Sequence, residues 1–376
     1  MEEIQFKTKI WTGQNALDGL KQFNDHKVFV VTDPFMVQSG GIDQITSKLT
    51  PQNEVEVFSD IQPDPPITQV VKGIEAIKQF GADLMVAVGG GSAIDASKGM
   101  KYFLHQTDGP DLPLIAIPTT SGTGSEVTNF AVLTDPEKGV KYPLVTDGVL
   151  PSIALLDANL VKTAPQPITV DTGMDVMTHC LEAYVSKGAN AFSDALAEKA
   201  FQMVVENIQA VSKDGNDMQA RQAMHDASCI AGLAFNLAGL GINHSIAHAA
   251  GATFHIPHGR LNAIIMPEVI RYNAELESGV MAKPTATTLK YANLARLIGI
   301  SAMNPKIAVK NLVANIIQLR KKLKMPASFS EYGIDRELFE ANKRKIATDA
   351  ISDADTLENP VSVDETAILT ILEKSY

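Results

Sequence analysis

The stretch LMVAVGGGSAIDASKGM, Leu84 to Met100, decides the fold. An apolar, valine-rich run ends at Val88, the glycines Gly89, Gly90 and Gly91 and then Ser92 follow, and a helical segment starts at once. Glycines let a backbone approach a phosphate closely, and a helix N-terminus presents unpaired N–H donors and positive potential to it. The motif is either a pyrophosphate cradle or a tight strand-to-helix turn without a ligand. Neither the Rossmann G-x-G-x-x-G pattern nor a Walker A pattern occurs in it, so those fingerprints lend no support.

Working outward, VFVVT (Val28–Thr32), VEVF (Val55–Phe58) and LIAI (Leu114–Ile117) also read as strands. Between the strands, Ile67–Phe80 carries Val70, Val71, Ile74 and Ile77 in the stripe of a sheet-covering helix. The alternation predicts a parallel sheet with helices on both faces, an α/β dinucleotide-binding domain. LIAI runs into PTTSGTGSEVT (Pro118–Thr128), whose hydroxyls on Thr119, Thr120, Ser121, Thr123 and Ser125 suit a phosphate or carboxamide. Loops that follow parallel strands line one crevice at the carboxyl ends. Asp33, at the end of the first strand, is placed either to accept bonds from a ribose and repel a 2'-phosphate, favouring NAD over NADP, or to cap a turn before Pro34.

APQPIT (Ala164–Thr169) breaks this pattern with two prolines, and the sequence beyond it is helical almost throughout. The expected division is an α/β domain over 1–164 and an all-helical domain over 165–376. No repeat and no low-complexity tract favours a solenoid or scaffold.

The helical half holds NHSIAHAAGATFHIPHG (Asn243–Gly259), which gathers four of the chain's eight histidines. His244 and His248 are one helical turn apart, and His255 and His258 follow. Imidazole is the commonest transition-metal ligand, so a metal site is the first reading and hydrogen-bonded core histidines the second. In TGMDVMTHCLEAYVS (Thr172–Ser186), Asp175 and His179 share the same spacing. Such a pair either chelates an ion or forms a weak helical couple worth a few tenths of a kcal/mol.

Length and composition suit an ordinary two-domain globular protein: 376 residues, 45% hydrophobic. A net charge of -11 with no basic run argues against nucleic acid or an anionic membrane as partner. Cys180 and Cys229 make no disulfide framework, and the N-terminus carries no apolar leader, so a cytoplasmic setting is expected. No stretch reaches the roughly 20 apolar residues of a membrane span. IQFKTKIW (Ile4–Trp11) is a candidate strand that would pair across a dimer.

Taken together, GGGSAIDASK, PTTSGTGSEVT, TGMDVMTHCLEAYVS and NHSIAHAAGATFHIPHG resemble the iron-containing, or group III, alcohol dehydrogenases from end to end. QPDPPITQVVKGI, KGVKYPL, FSDALAEKA and AGLGINHSIAH are most similar to the propanol-dehydrogenase branch of bacterial 1,2-propanediol utilisation. The resemblance implies a dehydroquinate synthase-like architecture: an NAD(H)-binding α/β domain followed by an all-helical domain that holds Fe(II). It implies Asp175, His179, His244 and His258 as metal ligands, with His248 beside the nicotinamide, where that imidazole is the candidate to pass a proton to the alkoxide. It implies cofactor contacts at Asp33, Gly90, Gly91, Ser92, Asp95, Thr119, Thr120, Thr123, Thr128 and Lys141, and a substrate pocket bordered by Phe130 and Phe235. His255 matches a variable position, and Asp64 stands in PDPP where much of the family has PNPT.

Three imidazoles and one carboxylate would leave a divalent site near +1, enough to polarise an aldehyde oxygen. That ligand set also suits Zn(II), which the Irving–Williams order favours. Two phenyl rings predict a small apolar pocket for a short aldehyde such as propanal. The rivals are a glycerol or 1,3-propanediol dehydrogenase, a metal-dependent lyase, which would need a basic pocket, and a non-catalytic partner, which would not need the ligands. A homo-oligomer, and company with other enzymes of a bacterial microcompartment, complete the expectation.

Overall fold

A computed structural model describes residues 3–137 and 140–376, and the chain divides into two compact units, 1–164 and 165–376. The first unit is built on β1 (Lys9–Thr12), β2 (Lys27–Thr32), β3 (Glu54–Phe58), β4 (Leu84–Gly89), β5 (Leu114–Pro118), a hairpin of β6 (Phe130–Asp135) and β7 (Val140–Val145), and β8 (Ile153–Leu156). Six of these form one parallel sheet in the order β1-β8-β5-β4-β2-β3. Its helices are α1 (Pro34–Gln38), α2 (Gly41–Thr46), α3 (Ile67–Phe80) and α4 (Gly91–Gln106).

Side-chain alternation along the strands splits the apolar residues between two cores. Phe29, Val31, Met85, Ala87, Leu114 and Ala116 meet Val70, Ile77, Ile94 and Met100 on one face. Val28, Val30, Leu84, Val86, Val88, Ile115 and Ile117 meet Met36, Ile42 and Ile45 on the other. Burial on both faces explains why these strands read as unbroken apolar runs. After β2 the chain steps to β3 on one side and then returns to β4 on the other, so the strand order reverses between β2 and β4. Ligands of open parallel sheets lie outside the carboxyl ends at such a point.

The segment Ile4–Trp11 forms a strand only from Lys9, and that strand pairs within the chain, parallel to β8. Neither β8 nor the hairpin stands out in the sequence. IALL is only four residues long, and Pro143 together with the charged residues between β6 and β7 disguises the alternation of VKYPLV.

The second unit contains α5 (Gln166–Val185), α6 (Ala191–Lys213), α7 (Met218–Ala238), α8 (Ile242–Phe254), α9 (His258–Asn273), α10 (Ala286–Leu297), α11 (Pro305–Lys322), α12 (Phe329–Tyr332), α13 (Arg336–Ser352), α14 (Asp355–Glu358) and α15 (Glu365–Ser375). From Gly173 to Val185, α5 is buried on every side, the mark of a central helix, and it packs against α6, α7 and α9. Met174, Met177, Phe201, Val204 and Ile208 belong to this core. Ile246, Leu261, Ile265, Phe339 and Ile346 form a second one, joining α8 and α9 to α13 and α15. Among the described residues no single helix is long and apolar enough to cross a membrane.

Candidate active site

Helix α5 carries Asp171, Asp175, His179 and Glu182, spaced so that all four share one face. The Glu182 carboxylate meets the start of α8, whose cap residue Gly241 has no side chain to offer. Its Oε1 accepts the Asn243 N–H at 2.6 Å and its Oε2 lies 2.5 Å from His244 Nδ1. A carboxylate at a helix N-terminus is favoured by the helix dipole, and here it also orients the first imidazole of the helix. Helix α9 opens at His258 and lies so close to α5 that a Cβ on Gly259 would sit 2.0 Å from the Asp171 carbonyl oxygen. One residue on, the Arg260 guanidinium clamps Asp171 with two bonds of 3.0 Å.

These contacts bring three of the expected metal ligands together. One donor atom from each of Asp175, His244 and His258 lies within 4.8 Å of the others. Asp175 Oδ1 is 3.7 Å from His244 Nε2 and 3.5 Å from His258 Nε2. The amide of Asn262, one turn after His258, donates to Asp175 Oδ1 at 2.7 Å and lies 3.1 Å from His258 Nε2. His179 stands beside this group: its ring lies parallel to His244, centroids 4.7 Å apart at 14°, and also stacks on Phe235 at 4.6 Å. Its buried Nδ1 has no hydrogen-bond partner. His248 lies against His258 at 5.3 Å and 12°, with its side chain 43% exposed.

The electrostatics suit a cation. Burial would raise the Asp175 carboxyl, but the imidazoles of His179, His258 and His244 outweigh it and hold the group well below the carboxylate range. Burial keeps His179 neutral, down to about 4 despite Asp175. His258, its side chain 40% exposed, turns Nε2 to the buried carboxylate, and desolvation of that face together with the neighbouring imidazoles holds it below the ordinary imidazole range. His244 is the exception: burial lowers it, yet Glu182 and Asp175 together raise it to about 10. A permanent carboxylate and the neutral imidazoles of His179, with its unpartnered buried nitrogen, and of His258 form a donor set that fits Fe(II) or Zn(II), which His244 Nε2 would join on giving up its proton, Nδ1 keeping its own towards Glu182.

In the first unit, Asp33 follows β2, Gly89–Gly91 end β4, and Thr119 follows β5. Pairing of Thr32 with Val88 and of Gly89 with Pro118 aligns these strand ends. Gly89 has φ 154°, and a Cβ there would lie 2.6 Å from the Ala93 Cβ, so no larger residue fits. Gly90 caps α4 without a side chain, which leaves the amides around Gly91 and Ser92 to an outside acceptor. Thr120 and Thr123 lie over this turn, 3.6 Å and 3.0 Å from where Cβ atoms of Gly90 and Gly91 would be. Asp33 caps α1 through the Met36 N–H, which donates to its Oδ1 at 3.0 Å, while its Oδ2 points towards Gly89, 3.3 Å from the Cβ position. The capping role thus occupies one oxygen of the carboxylate and leaves the other facing the glycine turn.

Other expected cofactor residues are engaged within the chain. Asp95 accepts Ser125 Oγ at 2.6 Å and the Val132 N–H at 3.0 Å. Thr128 is buried and receives a bond of 3.1 Å from Lys98, which also donates to the Phe130 carbonyl at 2.8 Å. Burial lowers Lys98 to about 8, against the pull of Asp95 and Glu126. Asp95 and Lys98 thereby tie α4 to the start of β6, where the Phe130 ring is exposed. Lys141 pairs with Asp64 at 2.6 Å, which gives Asp64 a partner at a positive φ of 52°. His255, at φ 53°, ends α8 with its N–H on the Gly251 carbonyl. A left-handed residue there is a helix stop, and imidazole suits the negative end of the helix.

Glu182, Asn262 and the Asp171–Arg260 clamp escaped the sequence reading. Glu182 had a readable signal, standing seven residues after Asp175 and so almost directly above it after two turns. Asn262, four after His258, had a weaker one. The clamp needs knowledge of how α5 and α9 pack.

The model of the iron-containing alcohol dehydrogenase family matches residues 7–158, and that of the Fe-containing alcohol dehydrogenase family C-terminal region matches 169–376. The chain belongs to the iron-containing alcohol dehydrogenase family. As an oxidoreductase of this family it is 38% identical to the 1-propanol dehydrogenase PduQ of Citrobacter freundii and 39% to that of Salmonella typhimurium, in both cases over 100% of each chain. It is 37% identical to the NADPH-dependent butanol dehydrogenase of Clostridium saccharobutylicum, over 98% of this chain and 96% of that one. Among solved structures, a 1,3-propanediol oxidoreductase superposes with a TM-score of 0.91 at 31% identity, covering 100% of both chains. The sulfoacetaldehyde reductase of Bifidobacterium kashiwanohense, solved with NAD+, gives 0.87 at 28%, covering 100% of this dehydrogenase and 98% of that chain.

Proposed function

We propose that this dehydrogenase reduces propanal, or a similarly short unbranched aldehyde, to the primary alcohol with NADH, and catalyses the reverse oxidation. The observation that carries the reading is the convergence of buried Asp175 and His244 with the partly exposed His258, and His248 stacked alongside. Identity of 38–39% over full length to two 1-propanol dehydrogenases supports the choice of substrate.

When bound, the metal supplies Lewis acidity at the carbonyl oxygen and the nicotinamide supplies the hydride. Asp175, His179, His244 and His258 would hold Fe(II), with Zn(II) a competitor for the same donors. The amides around Gly91 and Ser92 would hold the pyrophosphate, aided by hydroxyls of Thr119, Thr120 and Thr123. Asp33 Oδ2, which faces Gly89, would accept from the ribose and oppose a 2'-phosphate, the basis for choosing NAD(H) although one relative is named as NADPH-dependent. His248 exchanges the proton that the alcohol oxygen gains. Phe235, stacked on His179, presents an apolar wall beside the proposed ligands, a setting that penalises hydroxylated substrates.

A second reading, reduction of 3-hydroxypropanal, draws on the similarity to a 1,3-propanediol oxidoreductase. Steady-state NADH oxidation with propanal, lactaldehyde and 3-hydroxypropanal on anaerobically purified protein of measured metal content decides between them. The highest kcat/KM on propanal is expected, and a clear preference for either hydroxyaldehyde would overturn the substrate assignment. His258→Ala should lose both metal and turnover. The setting proposed for this activity is the cytoplasm, as a homo-oligomer accompanied by other enzymes of a microcompartment.

A further inference from the structure

His248 is held at two places. Its face lies on His258, with ring planes 12° apart, which sets the tilt of the imidazole. Its Nδ1 lies 3.0 Å from Asp353 Oδ2, which sets the rotation of the ring within that plane. Asp353 follows the last turn of α13, and Ile346, Ala347 and Ala350 of that helix are buried in the same core as Ile246, Ala247 and Ala250 of α8. The carboxylate is itself fixed. Its Oδ1 accepts the hydroxyl of the fully buried Ser245 at 3.2 Å and the Asp355 N–H at 2.9 Å. Ser245 precedes His248 by three residues on α8, so histidine, serine and aspartate form a closed patch joining α8 to the chain after α13. Asp355 Oδ2 stands 4.0 Å from the same nitrogen, too far for a hydrogen bond.

We propose that Asp353, supported by Ser245, is a positioning residue for the reaction: it accepts the Nδ1 proton of His248 and so keeps Nε2 as the nitrogen that trades a proton with substrate. The inference rests on the reading of His248 as the proton relay. The physical reason is tautomer choice. A neutral imidazole carries one proton, a carboxylate accepts and cannot donate, and a bond to Asp353 therefore assigns that proton to Nδ1. A side chain with this much solvent access would otherwise sample several rotamers and both tautomers, and only one arrangement serves the transfer. Neither Asp353 nor Ser245 belongs to the proposed metal sphere, so the role is separable from metal retention.

The test uses full-length, metal-loaded protein carrying Asp353→Asn, Asp353→Ala, Asp353→Glu or Ser245→Ala, with His248→Ala as reference. Metal content by elemental analysis, thermal midpoint, kcat and KM for propanal and NADH are measured for each. Asp353→Asn should keep the metal and alter KM for NADH by less than about twofold while lowering kcat about ten- to a hundredfold. Asn should be no better than Ala, because its amide can donate to Nδ1 and favour the wrong tautomer. Glu should recover part of the loss, and Ser245→Ala should show a smaller loss of kcat in the same direction. Wild-type kcat in Asp353→Asn, with His248→Ala inactive, would overturn the inference and leave the relay standing. Full activity in both would overturn the relay and the inference with it. Loss of metal from Asp353→Asn would assign the residue to the architecture of the site and also overturn the proposal.

Discussion

Glu182 touches two consecutive residues of α8 with one carboxylate, accepting the Asn243 N–H through Oε1 and meeting His244 Nδ1 through Oε2. The side chain that steadies the helix therefore also turns His244 Nε2 towards Asp175. It adds a second negative charge to the surroundings, so the site is closer to neutral than three imidazoles and one carboxylate would suggest. An outer carboxylate of this kind raises the basicity of a ligand imidazole.

Replacing Glu182 with Gln should weaken metal affinity by about ten- to a hundredfold. Competition with a chromophoric chelator under anaerobic conditions measures this directly. An unchanged dissociation constant would show that His244 needs no carboxylate behind it.

Gly259→Ala should be unusually harmful for so small a change. The new methyl group would meet the Asp171 carbonyl and the Asp175 Cβ, at 2.0 Å and 3.1 Å, and backbone cannot step aside as a flexible side chain would. A loss of about 1–3 kcal/mol in urea unfolding is expected, together with reduced metal content, because α9 must back away from α5. Wild-type stability combined with a full complement of metal would contradict the close approach.

Cofactor choice can be separated from helix capping at Asp33. Asp33→Ser keeps a side chain able to cap α1 but removes the charge that faces Gly89. The ratio of kcat/KM for NADH to that for NADPH should fall by about tenfold or more, the value of a lost contact near 1.4 kcal/mol. Thermal stability should barely move. A ratio identical to that of wild type would mean that Asp33 is a cap and nothing else.

Acid should act on the helical unit through His225, buried on α7 and lowered by that burial from 6.5 to about 4. The unfolded chain binds this proton first, so native stability is fully retained above pH 6.5 and declines as pH falls from there towards 4. Measured against a His225→Gln variant, the wild-type urea midpoint should lose ground between about pH 7 and pH 5. A constant difference between the two proteins across that range would remove His225 from the account.

Much of the fold was legible because burial on both faces writes strands such as LMVAV as unbroken apolar runs, while Ile67–Phe80 shows the stripe of a helix with one covered side. β8 and the β6–β7 hairpin were not legible, being short or interrupted by proline and charge. At the site, spacing on single helices placed Asp175 with His179 and His244 with His248. Spacing could not tell which imidazoles converge: His258 joins Asp175 and His244 only because Gly259 and Arg260 draw α9 onto α5. For the same reason His255, inside the same histidine-rich segment, serves as a helix terminator.

The crowded face of α5 bears on how such a protein can change. Asp171 anchors one neighbouring helix, Glu182 starts another, and Asp175 and His179 lie between them on a rod that rises about 1.5 Å per residue. Insertion or deletion of a single residue within this helix would swing part of the set through about 100° and disconnect all its tasks together. Length variation is therefore far better tolerated in the connecting loops than here, and a descendant that lost the proposed ligands would more readily do so by exchanging side chains on an intact α5 than by altering its length.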